Sequence, residues 1–269
     1  MSLVKHFSFV ASLAICGICF CVGANAAGPQ AGQGTWETTL KARDASGHAV
    51  ALDSARAEFF YDTTTNVTWL ADMNIVGEPM YWEDAKNWAN RLTLLGYDDW
   101  RLPNIIDSGS PGCDWSYSGG TDCGYNVQTK VGNSYSEWAH LFYVTLGDKA
   151  FCPPGMNQCQ GGPQPGWGRT NTAYFRNMGS AYWSGTENVA TGHSGKGWYF
   201  VPDGGDQWAN GGEGYRNYVV AVRSGDVLTG AVPEVSTLWM VMAGLAAIGL
   251  AYRRVTDIDP SGTDSEQRG

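Results

Sequence analysis

The chain has 269 residues and a formal net charge of −9, from 26 Asp plus Glu against 17 Lys plus Arg. Nucleic acids and other polyanions are bound through basic surfaces, so this balance argues against nucleic acid and against unaided binding of anionic polymers. Glycine (36) and tryptophan (12) are abundant and long aliphatic runs are confined to the two ends, which suits one compact, loop-rich domain.

Lys5 and His6 precede an apolar run over 7–22, and Ala24-Asn25-Ala26 is a small-x-small cleavage site. This pattern predicts a secretory signal peptide over 1–26. Phe20-Cys21 lacks the small residue that precedes a lipidated cysteine. Residues 27–35 are small and polar and read as a flexible lead, within an N-terminal stretch placed at 27–56 ahead of the domain.

Ala57-Glu58-Phe59-Phe60-Tyr61-Asp62 and Val67-Thr68-Trp69-Leu70 are rich in aromatic and β-branched residues and flank a turn over 63–66. They predict a β-hairpin, with Asn66 able to take positive φ. An amphipathic helix is expected over 82–95, because Ala85, Trp88, Ala89 and Leu92 share one face. Glu83 and Asp84 suit its N-terminal dipole, and Gly96 is placed to cap its end. A second helix is expected over 135–146, with Ser134 and Glu137 at capping-box spacing and Gly147 to end it. Its buried stripe would be Ala139, Phe142, Tyr143 and Leu146. Residues 152–168 read as a Gly/Pro-rich loop, and short strands are expected at 181–184, 198–201 and 218–223.

Three of the seven cysteines (Cys16, Cys19, Cys21) lie in the signal peptide, which leaves four. Close spacing in an exported chain favours disulfides Cys113–Cys123 and Cys152–Cys159. The rival is a zinc site, but these four form no Cys-x-x-Cys pair and have no histidine beside them.

After a short linker at 225–231, Val232-Pro233-Glu234 precedes an uncharged apolar stretch over 235–252, closed by Arg253-Arg254. Eighteen residues at ~1.5 Å per residue give about 27 Å of helix, enough to span a bilayer core. The paired arginines stop it on the cytoplasmic side. The Pro-Glu pair, apolar helix and basic stop together resemble a PEP-CTERM sorting signal of Gram-negative bacteria. That resemblance implies a 228–254 sorting segment, recognised by an exosortase and cut near Pro233-Glu234, followed by a polar tail at 255–269. The other reading of the same residues is an ordinary single-pass anchor. Both place the protein in the cell envelope, and sorting would move it on to the cell surface or extracellular matrix.

Further blocks occur within the domain. They include Thr68-Trp69-Leu70, Met80-Tyr81-Trp82-Glu83-Asp84-Ala85, Gly96-Tyr97-Asp98-Asp99-Trp100-Arg101-Leu102-Pro103 and Tyr182-Trp183-Ser184-Gly185-Thr186-Glu187. The run Ala139-His140-Leu141-Phe142-Tyr143-Val144-Thr145-Leu146-Gly147, then Gly197-Trp198-Tyr199-Phe200 and Ala221-Val222-Arg223-Ser224-Gly225-Asp226, continue the series. Together they resemble the Lcl C-terminal domain family of bacterial surface proteins, over a domain placed at 57–227. The resemblance implies an α+β, C-type-lectin-like fold with two helices and short antiparallel strands. It also implies kinship in shape with formylglycine-generating enzymes and an association with sulfated polysaccharides. This chain departs from the family at Tyr81, at 104–108 and in the Cys113–Cys123 loop.

The candidate chemistry is sparse. A nucleophile–base pair needs a histidine held by a third group, and the exported part has His48, His140 and His193. His140 lies inside the second expected helix and reads as packed. His193 sits in a glycine turn whose spacing fails a phosphate loop. Asp98, Asp99 and Arg101 could form a carboxylate site, although an ion pair by Arg101 is the simpler reading. Glu187-Asn188 and the loop Asp203-Gly204-Gly205-Asp206, with Asn210 and Glu213, offer oxygen ligands for calcium and sugar, and Trp208 could stack on a sugar ring. The same glycines and aspartates also serve a plain polar turn.

Two functions from different classes follow. One is a non-catalytic envelope protein that binds a polysaccharide or a surface protein, with calcium as the one cofactor to consider. The other is a secreted enzyme on a formylglycine-type scaffold, which needs a reactive thiol.

Overall fold

The structure, a computed structural model, describes residues 29–108, 122–155, 159, 161–189, 195–211 and 214–228. In chain order its elements are α1 (Trp36–Thr39), β1 (Leu40–Arg43), β2 (Ala49–Val50), β3 (Phe59–Asp62), β4 (Val67–Leu70), α2 (Trp82–Ala89) and β5 (Gly124–Tyr125). Then follow β6 (Lys130–Val131), β7 (Ser134–Tyr135), α3 (Glu137–His140) running into a π-helical turn (Leu141–Thr145), β8 (Tyr182–Glu187), β9 (Gly197–Val201), β10 (Asp206–Gly211) and β11 (Val222–Ser224). The architecture is α+β, rich in sheet and poor in helix.

Two antiparallel sheets carry the fold, one ordered β11-β4-β3-β1-β2 and one ordered β5-β10-β9-β8. The expected hairpin is β3–β4, in register Phe59↔Leu70 to Asp62↔Val67. Asp62 accepts the Thr64 N–H at 2.8 Å and Asn66 takes φ 57°, so polar turn chemistry sets the reversal. All four β4 residues are buried because β4 lies between β3 and β11.

Trp138 joins the sheets. Its ring meets Trp69 of β4 edge-on at 5.2 Å, Tyr182 of β8 at 4.5 Å, and lies parallel to Phe200 of β9 at 6.0 Å. Phe60, Trp198 and Phe142 fill the space around it. A smaller cluster lies on the other face of the second sheet, where α2 packs Trp82, Ala85 and Ala89 on Trp183 and Leu102. The Trp82 indole donates to Ser184 O at 2.8 Å, and only a glycine fits beneath it, since a Cβ on Gly197 would sit 2.3 Å from the ring.

Several expectations need correction. The sheet begins upstream of residue 57, because β1 pairs with β3 over Leu40↔Asp62 to Arg43↔Phe59. Residues 29–35 are not a loose lead: Thr35 N–H donates to Thr145 O at 2.9 Å and the Gln33 amide donates to Thr170 Oγ1 at 3.0 Å. The first long helix ends at Ala89, six residues early. Beyond it the backbone switches to i→i−3 bonds at Arg91 and Leu92, then reverses at Leu95 (φ 55°) and Gly96 (φ 77°) between mutually bonded Leu94 and Tyr97. Gly96 therefore serves a tight turn, whose paired positive φ values match a hairpin turn rather than a helix cap. The second helix starts two residues late, because Ser134 and Tyr135 pair with β6. Of the expected strand at 218–223 only Val222 and Arg223 are regular, in a strand that runs on to Ser224.

Cys152 and Cys159 form a disulfide, as their spacing suggested. Cys123 is fully buried and disulfide-bonded; Cys113, its expected partner, lies outside the described residues. The signal peptide, the sorting segment and the tail also lie outside them. Among the described residues no helix is long and apolar enough to cross a membrane.

One buried carboxyl pins the first residues to the core. Asp148 accepts N–H groups of Thr170 and Asn171 and the Thr170 hydroxyl through Oδ1, at 2.8–3.0 Å, while its buried Oδ2 has no partner. Burial pushes its pKa up to about 7, against the hydrogen bonds that lower it. A native pKa above the unfolded value of ~3.9 means the folded state holds the proton more tightly. Its stabilising contribution is therefore full at low pH and is lost as pH rises through about 7. Asp148→Asn imitates the protonated acid. The wild-type minus variant unfolding free energy, from urea titrations, should fall by about 2–3 kcal/mol between pH 5 and pH 8. A difference independent of pH would show that Asp148 is ionised throughout.

Candidate functional site

The segment after Trp100 builds one concavity. Arg101 bridges Val222 through backbone bonds of 2.9 and 2.8 Å and so extends the first sheet by one residue. Pro103 then ends regular pairing, since it lacks an N–H. From here side chains supply much of the bonding, beside backbone bonds from Gly185 N–H to Pro103 O at 2.9 Å and from Glu137 N–H to Asn104 O at 2.8 Å. Glu137, the first residue of α3, accepts the Asn104 N–H at 2.7 Å and both guanidinium nitrogens of Arg101 at 2.8 and 2.7 Å. Thr186 of β8 accepts the Ile105 N–H at 3.0 Å and donates to the Ile105 carbonyl at 3.1 Å. Asp107 accepts the Val189 N–H at 3.0 Å and the Trp198 indole N–H at 2.8 Å.

The pinned segment forms one wall of a groove of about 620 Å³. The β3–β4 turn at Asn66, the β6–β7 turn at Asn133 and the end of β8 at Glu187 supply the other walls. This volume lies within the range of small-molecule and oligosaccharide sites. Asn66, Asn104, Asn133 and Glu187 are exposed at its rim, while Ile105 and Glu137 are buried in its floor. Carboxamides, hydroxyls and carboxylates predominate, with Tyr135 and Val189 as apolar contact surface.

The weak ligand set divides between two ends of the second sheet. Glu187 pairs with Gly197 at the start of β9, whereas Asp206 pairs with Val201 at its end. Four residue steps at ~3.3 Å put about 13 Å between them. Glu187 lines the groove, and Asn188 beside it is buried with its N–H on Lys196 O at 2.8 Å. Asp203 and Asp206 belong instead to the β9–β10 turn. Asp203 pairs with Arg169 at 2.6 Å, and Asp206 is buried and accepts the Trp208 indole N–H. Burial pushes the Asp206 carboxyl up to about 6. Trp208 and Asn210 lie in a strand, β10, rather than in a ligand loop. Gly205 is a steric necessity there, because φ is 64° and an added Cβ would lie 2.6 Å from the Phe142 ring. Among the described residues no group of three or more His, Cys, Asp or Glu is placed to hold a metal ion.

Other candidates resolve into structural roles. Asp99 pairs with Arg223 at 2.8 Å, which holds its carboxyl below the usual range, and Arg101 turns to Glu137. Thr145, His140 and Asp62 stand in hydroxyl–imidazole–carboxylate order: Thr145 donates to Asp62 at 2.7 Å and lies 3.3 Å from the His140 ring. All three are buried in the core, and burial lowers the His140 pKa, which keeps the ring neutral. His48 is exposed beside Asp44, and His193 lies outside the described residues.

Comparison with family models, with curated proteins and with solved structures finds no match to this chain.

Glu137 controls the groove wall through Arg101 and Asn104. Removing the cation leaves a carboxylate with 8% side-chain exposure and no counter-charge. Arg101→Met should cost about 2–4 kcal/mol of unfolding free energy, more than a surface pair would. It should also speed hydrogen exchange at the Asn104 amide. Loss below about 0.5 kcal/mol would show that the pair does not hold the wall.

Proposed function

We propose that this chain is an exported envelope protein whose domain binds glycan, without catalysis, in the groove beside Asn104. The groove itself carries the reading: polar side chains from five separated stretches converge on one concavity large enough for an oligosaccharide. Sugar recognition needs planar carboxamides and carboxylates that exchange hydrogen bonds with hydroxyls, and an apolar surface beneath a ring. Asn66, Asn104 and Asn133 supply the first and Tyr135 the second. The C-type-lectin-like form implied by the family resemblance supports the same reading. The competing enzyme needs a free thiol, and Cys123, Cys152 and Cys159 are all disulfide-bonded.

The ends of the chain supply the address. The signal peptide at 1–26 exports it, and the segment from Val232 to Arg254 holds it in the inner membrane until an exosortase acts at Pro233-Glu234.

Two experiments test these parts. On a glycan array, the full chain should bind at least one oligosaccharide, and Asn104→Ala with Asn133→Ala should weaken that binding roughly tenfold at unchanged melting temperature. Wild-type binding undisturbed by the pair would place recognition elsewhere. For sorting, an epitope tag after Gly269 should be lost from mature surface protein and kept when Pro233 and Glu234 are both changed to Ala. A tag retained on wild-type protein in the inner membrane would leave a simple anchor.

A further inference from the structure

We propose that an apolar cleft on the outer face of the first sheet seats the chain's own linker, residues 229–233, with Val232 inside it, so that the domain shields the Pro233-Glu234 bond. The seating holds whether or not a sorting enzyme cuts there; only its biological consequence rests on the sorting reading.

Direct ladder partners share a face of a sheet, and residues two apart in a strand do too. Phe60 and Trp69 are partners, and Trp69 meets Trp138 in the core. Phe59, Leu70, Thr68, Arg43 and Arg223 therefore point outward. The chain leaves the strands across this outer face. Thr68 donates its hydroxyl to Gly225 O at 2.6 Å, and Arg223 donates to Asp226 O at 3.0 Å. Arg43 forks onto the Asp226 carboxylate at 3.0 and 2.6 Å, and the Leu228 N–H bonds back to it at 3.0 Å. Leu228 is the last residue described.

The cleft opens beside these ties. It holds about 260 Å³, and six of its eight lining residues are apolar, so it suits an apolar occupant. Phe59 and Leu70 are buried in it, while Ile75 is 54% exposed. Arg43 is the ladder partner of Phe59, one strand spacing (~4.8 Å) away. Arg223 lies over the Tyr97 ring at 3.8 Å, and Tyr97 exchanges backbone bonds with Leu94 of the cleft. The two carboxylates of the lining are engaged: Glu58 pairs with Arg176 at 2.9 Å, and Asp72 accepts the Asn177 amide at 3.1 Å. The volume falls below the ~300–1,000 Å³ of small-molecule sites and fits one or two side chains of an extended segment.

The sequence supplies such a segment. Thr229-Gly230-Ala231-Val232-Pro233-Glu234 follows Leu228, and Val232 is the first branched apolar side chain in it. Four residues reach up to about 14 Å, enough to carry Val232 from the Asp226 ties into the cleft. The residue before a proline favours extended backbone, and Pro233 brings no N–H into an apolar site. Seating removes Val232 and the exposed part of Ile75 from water. The ties at Asp226 already direct the chain, so only a few further residues need ordering.

Two measurements on the full chain in detergent micelles test this. In Ile75→Cys with Val232→Cys, mild oxidation should join positions 75 and 232 within one chain, as read by non-reducing peptide mapping. Glutamyl endopeptidase should cut after Glu234 slowly in the native chain. In Ile75→Asp, which sets a charge at the exposed edge of the cleft, that cut should be about tenfold faster at unchanged melting temperature. A link between positions 75 and 232 of two different chains would give the cleft to a second copy and overturn the proposal. The absence of any such link, or a cut rate that Ile75→Asp leaves unchanged, would overturn it too. No sorting enzyme takes part, so a failure of the sorting reading moves neither result.

Discussion

The fold depends on one side chain that belongs to neither sheet. Trp138 is 1% exposed and touches Trp69 on one sheet and Tyr182 and Phe200 on the other. Its indole N–H is buried without a partner, which costs about 1–3 kcal/mol. A tryptophan removes about 150–250 Å² from water, worth roughly 4–6 kcal/mol at ~25 cal/mol per Å², before the aromatic contacts add theirs. Burial outweighs the orphaned donor, so the ring stays. The preceding residue faces the other way. Glu137 reaches out of the same turn to Arg101 and Asn104, so the element that locks the sheets also fixes the groove wall.

Local chemistry made parts of the fold legible. The β3–β4 hairpin could be read because the aromatic and β-branched runs, Asp62 and Asn66 all lie within Phe59–Leu70. The Cys152–Cys159 pairing was legible for the same reason. The helices were harder. Helical spacing continues past Ala89 to Leu92, but the chain leaves the helix there, and Leu94–Tyr97 close a turn that Leu95 enters at positive φ. No periodicity reveals that choice. Ser134 and Glu137 have the spacing of a capping box, yet Glu137 finds a stronger partner in Arg101, 36 residues away. Short strands such as β1 and β2 carry too few residues to show alternation, which is why the sheet extends upstream of the expected boundary.

The candidate site was legible in part. Glu187 was visible because it closes a recognisable aromatic block. Asn104 and Asp107 were not, because their importance comes from what holds them: Glu137, Thr186 and the Trp198 indole, between 33 and 91 residues distant in sequence. The one hint was that 104–108 departs from the resemblance that surrounds it. Asp203 and Asp206 attracted attention as oxygen ligands, but the glycines between them mark a tight hairpin against Phe142. An acidic turn and a metal loop share a composition and differ only in where their side chains point.

The way the groove wall is held bears on how such a site can change. A β-strand fixes its neighbours through backbone bonds, and its register moves every side chain at once. Residues 104–107 are fixed largely otherwise: Glu137 and Thr186 side chains bond the backbone of Asn104 and Ile105, the Glu137 N–H adds one backbone bond to Asn104 O, and Asp107 is held through its own carboxylate. A substitution at Asn104 or Glu187 alters the groove without touching a ladder. A substitution at Glu137 or Thr186 releases the wall while Trp138 still holds the sheets. Stability thus resides in the aromatic contacts between the sheets, and the shape of the groove in a segment held largely through side chains. Such a separation lets the groove surface vary while the core that supports it stays constant.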